Sequence, residues 1–435
     1  MEILRAKAVL YLMCGLLLLN YGFMQLRIAS IPLAEIILVL FLATANLPLL
    51  LGRFSLAVNV LPFVVWWFFG VGSALYYFNI NGIWALRDAT NVIESLFVLV
   101  GFSIFGVAQI RELILKKYPR FIFVLCIYGL SYPFASILQT ISPQVTAGAG
   151  HSVSVLFNYV ISPMMLLIGA LYLVINEKSD GFLNRNKIII AACLMLFTVG
   201  AFQARTIYIQ ITALLIILSL VKPSVAKQWV YILFGAVILL LLVSLTGIEF
   251  EGRLGQKVSA DFFLNHFLAI FGIESDGLEG AADGVDLRFT WWVGIYEWWS
   301  QKAETMLFGL GFGFPLIDFG VSHGVMVREP HNSYISILAR SGIVGFSCWV
   351  WLHICLFSAW LYSYLTCKKV SWKAGEVLLI LLLAYFIFIG CLALAEDGFE
   401  KPYNAVPYYF FWGIVVRLAW FAKLGKIGKN GVIES

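Results

Sequence analysis

His331 stands in Pro330-His331-Asn332-Ser333, directly before an apolar stripe of Ile335, Leu338, Ala339 and Gly342 at helical spacing. Asn332 or Ser333 can cap that helix. A helix start carries partial positive charge, which favours a neutral imidazole, and a neutral imidazole can take a proton from a hydroxyl. The same position also suits a histidine with a purely structural task. Arg205, in Gln-Ala-Arg-Thr, lies between two apolar runs, and Arg288 lies beside a tryptophan cluster. A guanidinium fork matches phosphate oxygens, so Arg205 and Arg288 are candidate diphosphate ligands. The alternative for Arg205 is a snorkelling anchor at the membrane boundary. Asn332, Arg328, Arg340 and Lys401 are secondary candidates from the same polar stretches. Trp291 and Trp292 offer flat faces for sugar stacking, or else belong to an interfacial aromatic belt.

The run Gly309-Leu-Gly311-Phe-Gly313-Phe-Pro315 is neither a Walker A loop nor a GxGxxG turn, because no Gly-Lys-Ser/Thr follows and Phe314 takes the third glycine's place. It reads as a tight turn that needs positive φ, or as a nest of amides facing an anion. His323 reads as a surface residue, and His151, His266 and His353 lack carboxylate or cysteine neighbours in sequence. Seven cysteines occur without CxxC spacing, so neither a zinc site nor a disulfide framework is expected. No cofactor and no metal is called for.

The frame that must position these residues is apolar. The chain of 435 residues is 61% hydrophobic and 12% charged, with a mean hydropathy of +0.92. A soluble domain carries roughly 25% charge, so the composition indicates an all-α polytopic membrane protein. The net charge of +5 is small and dispersed, which gives no nucleic-acid surface. About twelve transmembrane helices are expected, near 8–25, 31–51, 54–79, 91–110, 121–141, 153–175, 188–204, 206–221, 229–248, 343–366, 376–396 and 407–422. The first run reads as a retained span, with no small-residue cleavage site behind it. Residues 1–248 then form nine spans, 249–342 one large loop, and 343–435 three spans and a tail. Lys and Arg concentrate in alternate loops, which places both termini in the cytoplasm and the large loop on the far side. Within that loop, 261–273 reads as an amphipathic helix on the outer leaflet, 274–286 as an acidic, glycine-rich mobile linker, and 287–301 as a helix. No internal repeat is evident, which counts against a transporter, and only Glu35 and Glu94 stand out as acidic residues within spans.

An outer arginine between mid-chain spans, then Arg288 with Trp292 four residues on, then LFGLGFGF, then HNSYISILARSGIVG opening the next span: this pattern resembles the O-antigen ligase and polymerase family, most sharply over 288–345. Where relatives often have Ser-Arg-Gly, this chain has Gln-Ala-Arg-Thr around Arg205. The resemblance implies a bacterial inner-membrane glycosyltransferase with one large periplasmic loop containing helices. It implies undecaprenyl-diphosphate-linked glycan as donor, His331 as the catalytic residue, and Arg205 and Arg288 at the diphosphate. A ligase of lipopolysaccharide biosynthesis would use lipid A core as acceptor; an O-antigen or exopolysaccharide polymerase would use a second lipid-linked repeat. Transfer would be metal-independent and inverting. Two other classes stay open: a lipid-glycan flippase or other transporter, and a scaffold in which Arg205, Arg288 and His331 do not converge.

Overall fold

The structure, a computed structural model, describes residues 2–28, 31–146, 152–176, 186–246, 265, 279–317, 320–322 and 325–432. Helices dominate, as they must where lipid offers the backbone no hydrogen bonds. In chain order they are α1 (Glu2–Met24), α2 (Leu33–Thr44), α3 (Leu47–Ala57), α4 (Leu61–Asn81), α5 (Ile83–Asp88), α6 (Thr90–Ser95), α7 (Phe97–Ile104), α8 (Ala108–Leu130) and α9 (Ala135–Thr140). The second half continues with α10 (Ser162–Ile175), α11 (Lys187–Phe202), α12 (Arg205–Val221), α13 (Pro223–Thr246), α14 (Glu279–Ser300), α15 (Ala303–Phe308), α16 (Ser333–Lys369), α17 (Lys373–Leu392) and α18 (Pro402–Lys423). The strands among the described residues pair only as two-stranded hairpins.

Among the described residues, six helices, α1, α4, α13, α16, α17 and α18, are each long and apolar enough to cross a membrane. Two bent pairs raise the count to eight: α2 with α3, bent by 100°, and the Thr90–Ile104 segment with α8, bent by 101°. The expected runs at 153–175, 188–204 and 206–221 do fold as helices, of 14, 16 and 17 residues. At 1.5 Å per residue these reach roughly 21–26 Å, short of a ~30 Å hydrocarbon core. By length and composition, six to eight spans are therefore supported among the described residues, and the other expected runs form shorter apolar helices. The shortening has local causes. Ser152–Ser154 is spent on a hairpin strand, Pro163 sits in the first turn of α10, and a left-handed Gln203 ends α11.

The helices α17 and α18 form the centre, with 83% and 89% of their apolar windows buried, against 28% for α4 and α13. Small residues bring α18 onto α7: a methyl on Gly101 would meet the Phe410 carbonyl at 1.9 Å, and one on Gly413 the Val98 carbonyl at 2.2 Å. Helix α16 is kinked at Gly342, whose φ is 65°. The loop helix α14 begins at Glu279, so 279–286 is helical where a mobile linker is expected. The expected amphipathic segment 261–273, the remainder of the acidic stretch and the histidines 151, 266 and 323 lie outside the described residues, Asn265 excepted.

Candidate active site

The site is built where α16 starts and the loop between α17 and α18 passes over it. Asn332 caps α16: its Oδ1 accepts from the backbone N–H groups of Tyr334 and Ile335, each at 3.1 Å. Its Nδ2 donates to the Leu394 carbonyl at 3.1 Å, and the Ser333 amide donates to Ala393 at 2.9 Å. The Ser333 hydroxyl accepts from the Phe399 amide at 3.1 Å and donates to the Glu400 carboxylate. Helix start and loop 393–401 are therefore one hydrogen-bonded unit, hung between the two most buried helices.

His331 sits just outside this cap with φ 51°, a left-handed value uncommon for a residue with a side chain. Its Nδ1 lies 3.3 Å from Glu396 Oε2 and 3.8 Å from Asp397 Oδ2. A carboxylate only accepts, so in the neutral ring Nδ1 carries the proton and Nε2 has the lone pair. The imidazole is about one-third exposed. The Glu396 hydrogen bond raises its pKa above the ordinary value, against the effect of burial, with Asp397 adding to the rise and the Arg288 charge opposing it. The direction is opposite to the one the helix start alone would give. His331 precedes the cap, and two carboxylates within 4 Å outweigh a terminal dipole that falls off within one turn.

Arg288, ten residues into α14, places Nη2 3.8 Å from Glu396 Oε1. Burial pushes the Glu396 carboxyl up, but the His331 hydrogen bond and the charges of His331, Arg288 and Lys401 outweigh it and hold it below the usual range. Arg205 opens α12, and the Arg288 charge reaches it. Lys401 lies 3.6 Å from Asp397. The structure thus links His331, Arg288 and Lys401 through one acidic loop and sets Arg205 within range of Arg288.

The remaining candidates have other duties. Arg340 is 1% exposed and bonds Asp88 Oδ2 at 3.0 Å, Glu329 Oε2 at 3.0 Å and Ser336 Oγ at 3.0 Å. Arg328 donates to the Gly313 carbonyl at 2.8 Å and stacks 4.2 Å over the Trp84 ring. Trp291 is 6% exposed, with its ring 6.0 Å from that of His331. Trp292 donates from Nε1 to the Pro330 carbonyl at 3.0 Å, which holds α14 against the histidine turn. Glycines 309, 311 and 313 all have φ between 86° and 89°, as a turn requires. The amides of Leu310 and Gly311 donate to the carbonyls of Ala339 (2.7 Å) and Arg340 (3.2 Å), which the Gly342 kink leaves free. Those two amides do not face an anion.

Sequence reasoning missed the acidic partners Glu396, Asp397 and Glu400, and the Asp88–Arg340–Glu329 group. A signal was present: Glu396, Asp397, Glu400 and Lys401 crowd six positions between two nearly uncharged helices. Burial and Glu329 push the Asp397 carboxyl up to about 6, against Lys401 and His331. Burial, Asp397 and Glu329 push Glu400 up to about 8, against the Ser333 hydrogen bond and the Arg340 charge.

Residues 190–350 match the family model described as O-antigen ligase. The match covers Arg205, Arg288, the glycine run and His331, and ends before the acidic loop. No curated protein matches the chain. A central segment that is similar to the O-antigen ligase family thus sits in a helical frame with six to eight candidate membrane spans among the described residues.

Proposed function

We propose that this protein moves a glycan from undecaprenyl diphosphate to a sugar hydroxyl of the lipid A core, at the periplasmic face of a bacterial inner membrane. The observation that carries this reading is the His331–Glu396–Arg288 chain of contacts, which joins a proton acceptor to a cationic group on one carboxylate. Glu396 holds the imidazole so that Nε2 is available to the acceptor hydroxyl. His331 takes the hydroxyl proton as the oxygen attacks the anomeric carbon, with inversion. The bond from that carbon to the diphosphate breaks, and the leaving oxygen takes the electron pair. Arg205 and Arg288 stabilise the charge that develops there. Lys401 holds the acidic loop in register through Asp397. Catalysis is assigned to these side chains without a metal. The twelve-span arrangement with both termini cytoplasmic follows if α10, α11 and α12 cross a locally thin bilayer and the Thr90–Ile104 segment and α8 cross separately.

The test is transfer by purified protein in detergent, with lipid-linked glycan as donor and two acceptors offered separately, lipid A core and a second lipid-linked repeat. Product on the core, reduced ~10²–10⁴-fold in His331→Ala as for loss of a general base, is the expected result. A lengthening lipid-linked ladder instead assigns a polymerase. Undiminished product from a folded His331→Ala protein removes His331 from the chemistry.

A further inference from the structure

Trp291 lies on the inward face of α14, one helical turn before Ile295. Ile295 is 2% exposed and packs with Leu316 and with Ala339 of α16. The neighbouring Trp292 donates to the Pro330 carbonyl at 3.0 Å, one residue before the histidine. These two attachments hold the Trp291 ring, itself 6% exposed, against the His331 ring, with centroids 6.0 Å apart and planes inclined by 30°. So little exposure leaves the indole face small room for a sugar. Its neighbour is the imidazole.

The two planes are nearer parallel than perpendicular, so the rings meet face to face with an offset. A tryptophan face carries a negative quadrupole and attracts a cation within about 6 Å of its centre more strongly than any other side-chain ring. Imidazolium gains from that face what neutral imidazole does not. The charged groups that bear on His331 are Glu396 and Asp397 of the acidic loop, 3.3 and 3.8 Å from Nδ1, and Arg288 of α14, 3.8 Å from Glu396. The carboxylates act at the Nδ1 edge, whereas Trp291 lies along the ring plane. Covering the ring has the contrary effect, because lost hydration disfavours the charged form. The two effects of one indole therefore differ in sign. We propose that Trp291 is a positioning residue for His331, whose indole face stabilises the imidazolium that forms when Nε2 takes a proton. Its consequence for transfer rests on the general-base role proposed for His331, but the contact itself is read without donor or acceptor.

Full-length protein in detergent is labelled with carbon-13 at histidine Cε1. The His331 NMR signal, identified by its loss in His331→Ala, is followed against pH. Trp291→Leu is expected to lower the titration midpoint by roughly half a pH unit, the equivalent of a partly exposed cation–π contact. A midpoint that rises would show that the indole acts by covering the ring, and it overturns the proposal, as does a midpoint that stays in place. A second measurement keeps the shape and burial of the site. Tryptophan is replaced throughout by 5-fluorotryptophan, which draws electron density from the ring face. Among the described residues Trp291 is the tryptophan ring paired with His331, so the midpoint is expected to fall again, by a smaller amount. No fall overturns the proposal even where Trp291→Leu does not fold. Failure of the transfer role shows separately, as undiminished product from His331→Ala, and leaves the titration as it was.

Discussion

Replacing Arg340 by Gln separates a structural cation from a substrate ligand. The guanidinium is 1% exposed and touches two carboxylates and a hydroxyl, all at 3.0 Å. Without it, Asp88 and Glu329 face each other, with Arg328 3.7 Å from Asp88 as the remaining described cation in ion-pair range. Breaking a buried pair by removing one partner costs about 3–5 kcal/mol. For a chain of this length, size scaling gives roughly 1–2 °C per kcal/mol, so the melting temperature should fall on the order of 5 °C. Asp88→Asn alone should cost less, because it leaves Arg340 with Glu329 as a one-to-one pair. In the double variant Asp88→Asn, Arg340→Gln, part of the loss should return, because a like-charge contact is gone. Thermal unfolding of the purified protein, read beside the donor KM, decides the case. A normal melting temperature in Arg340→Gln with a raised donor KM would mean that Arg340 grips the diphosphate, and the reasoning above would be wrong.

Two other perturbations address the histidine and the glycine turn. Glu396→Gln removes the leading cause of the raised His331 pKa. The imidazole should then lose its proton at lower pH, and the acidic limb of kcat/KM against pH should move down. A limb that stays in place would separate Glu396 from the histidine's titration. Gly309→Ala puts a methyl 2.2 Å from the Arg340 carbonyl at a φ of 86°, so about 1–2 kcal/mol of backbone strain adds to displacement of two main-chain bonds. Transfer activity should fall by on the order of 10²-fold as the turn shifts; a fully active variant would show that the turn does not hold the site.

How much of this was legible in sequence depended on how local each cause is. The helices were readable because twenty apolar residues in a row leave the backbone little choice. The cap at Asn332 and the turn at Gly309, Gly311 and Gly313 were readable because both arise from neighbouring residues. The protonation of His331 was not. It depends on Glu396, sixty-five residues further on, brought back by the antiparallel return of α17 over α16. Arg340 was a secondary candidate on residue type alone. One of its two carboxylate partners, Asp88, lies 252 positions earlier in the chain, and nothing near Arg340 announces it. Three of the expected spans are shorter as helices than as apolar runs because hydropathy does not see where Pro163 or a left-handed Gln203 sets a helix boundary.

The loop 393–401 also fixes an order of manufacture. The histidine turn leaves the ribosome before the residues that orient it, and Asp88 waits in the membrane through most of synthesis for the arginine that neutralises it. Until α17 has turned back and the loop has passed over Ser333, the growing chain holds a histidine without its carboxylate and a helix start without its clasp. The unit of histidine turn, helix cap and acidic loop is therefore complete only once the last two helices have been made.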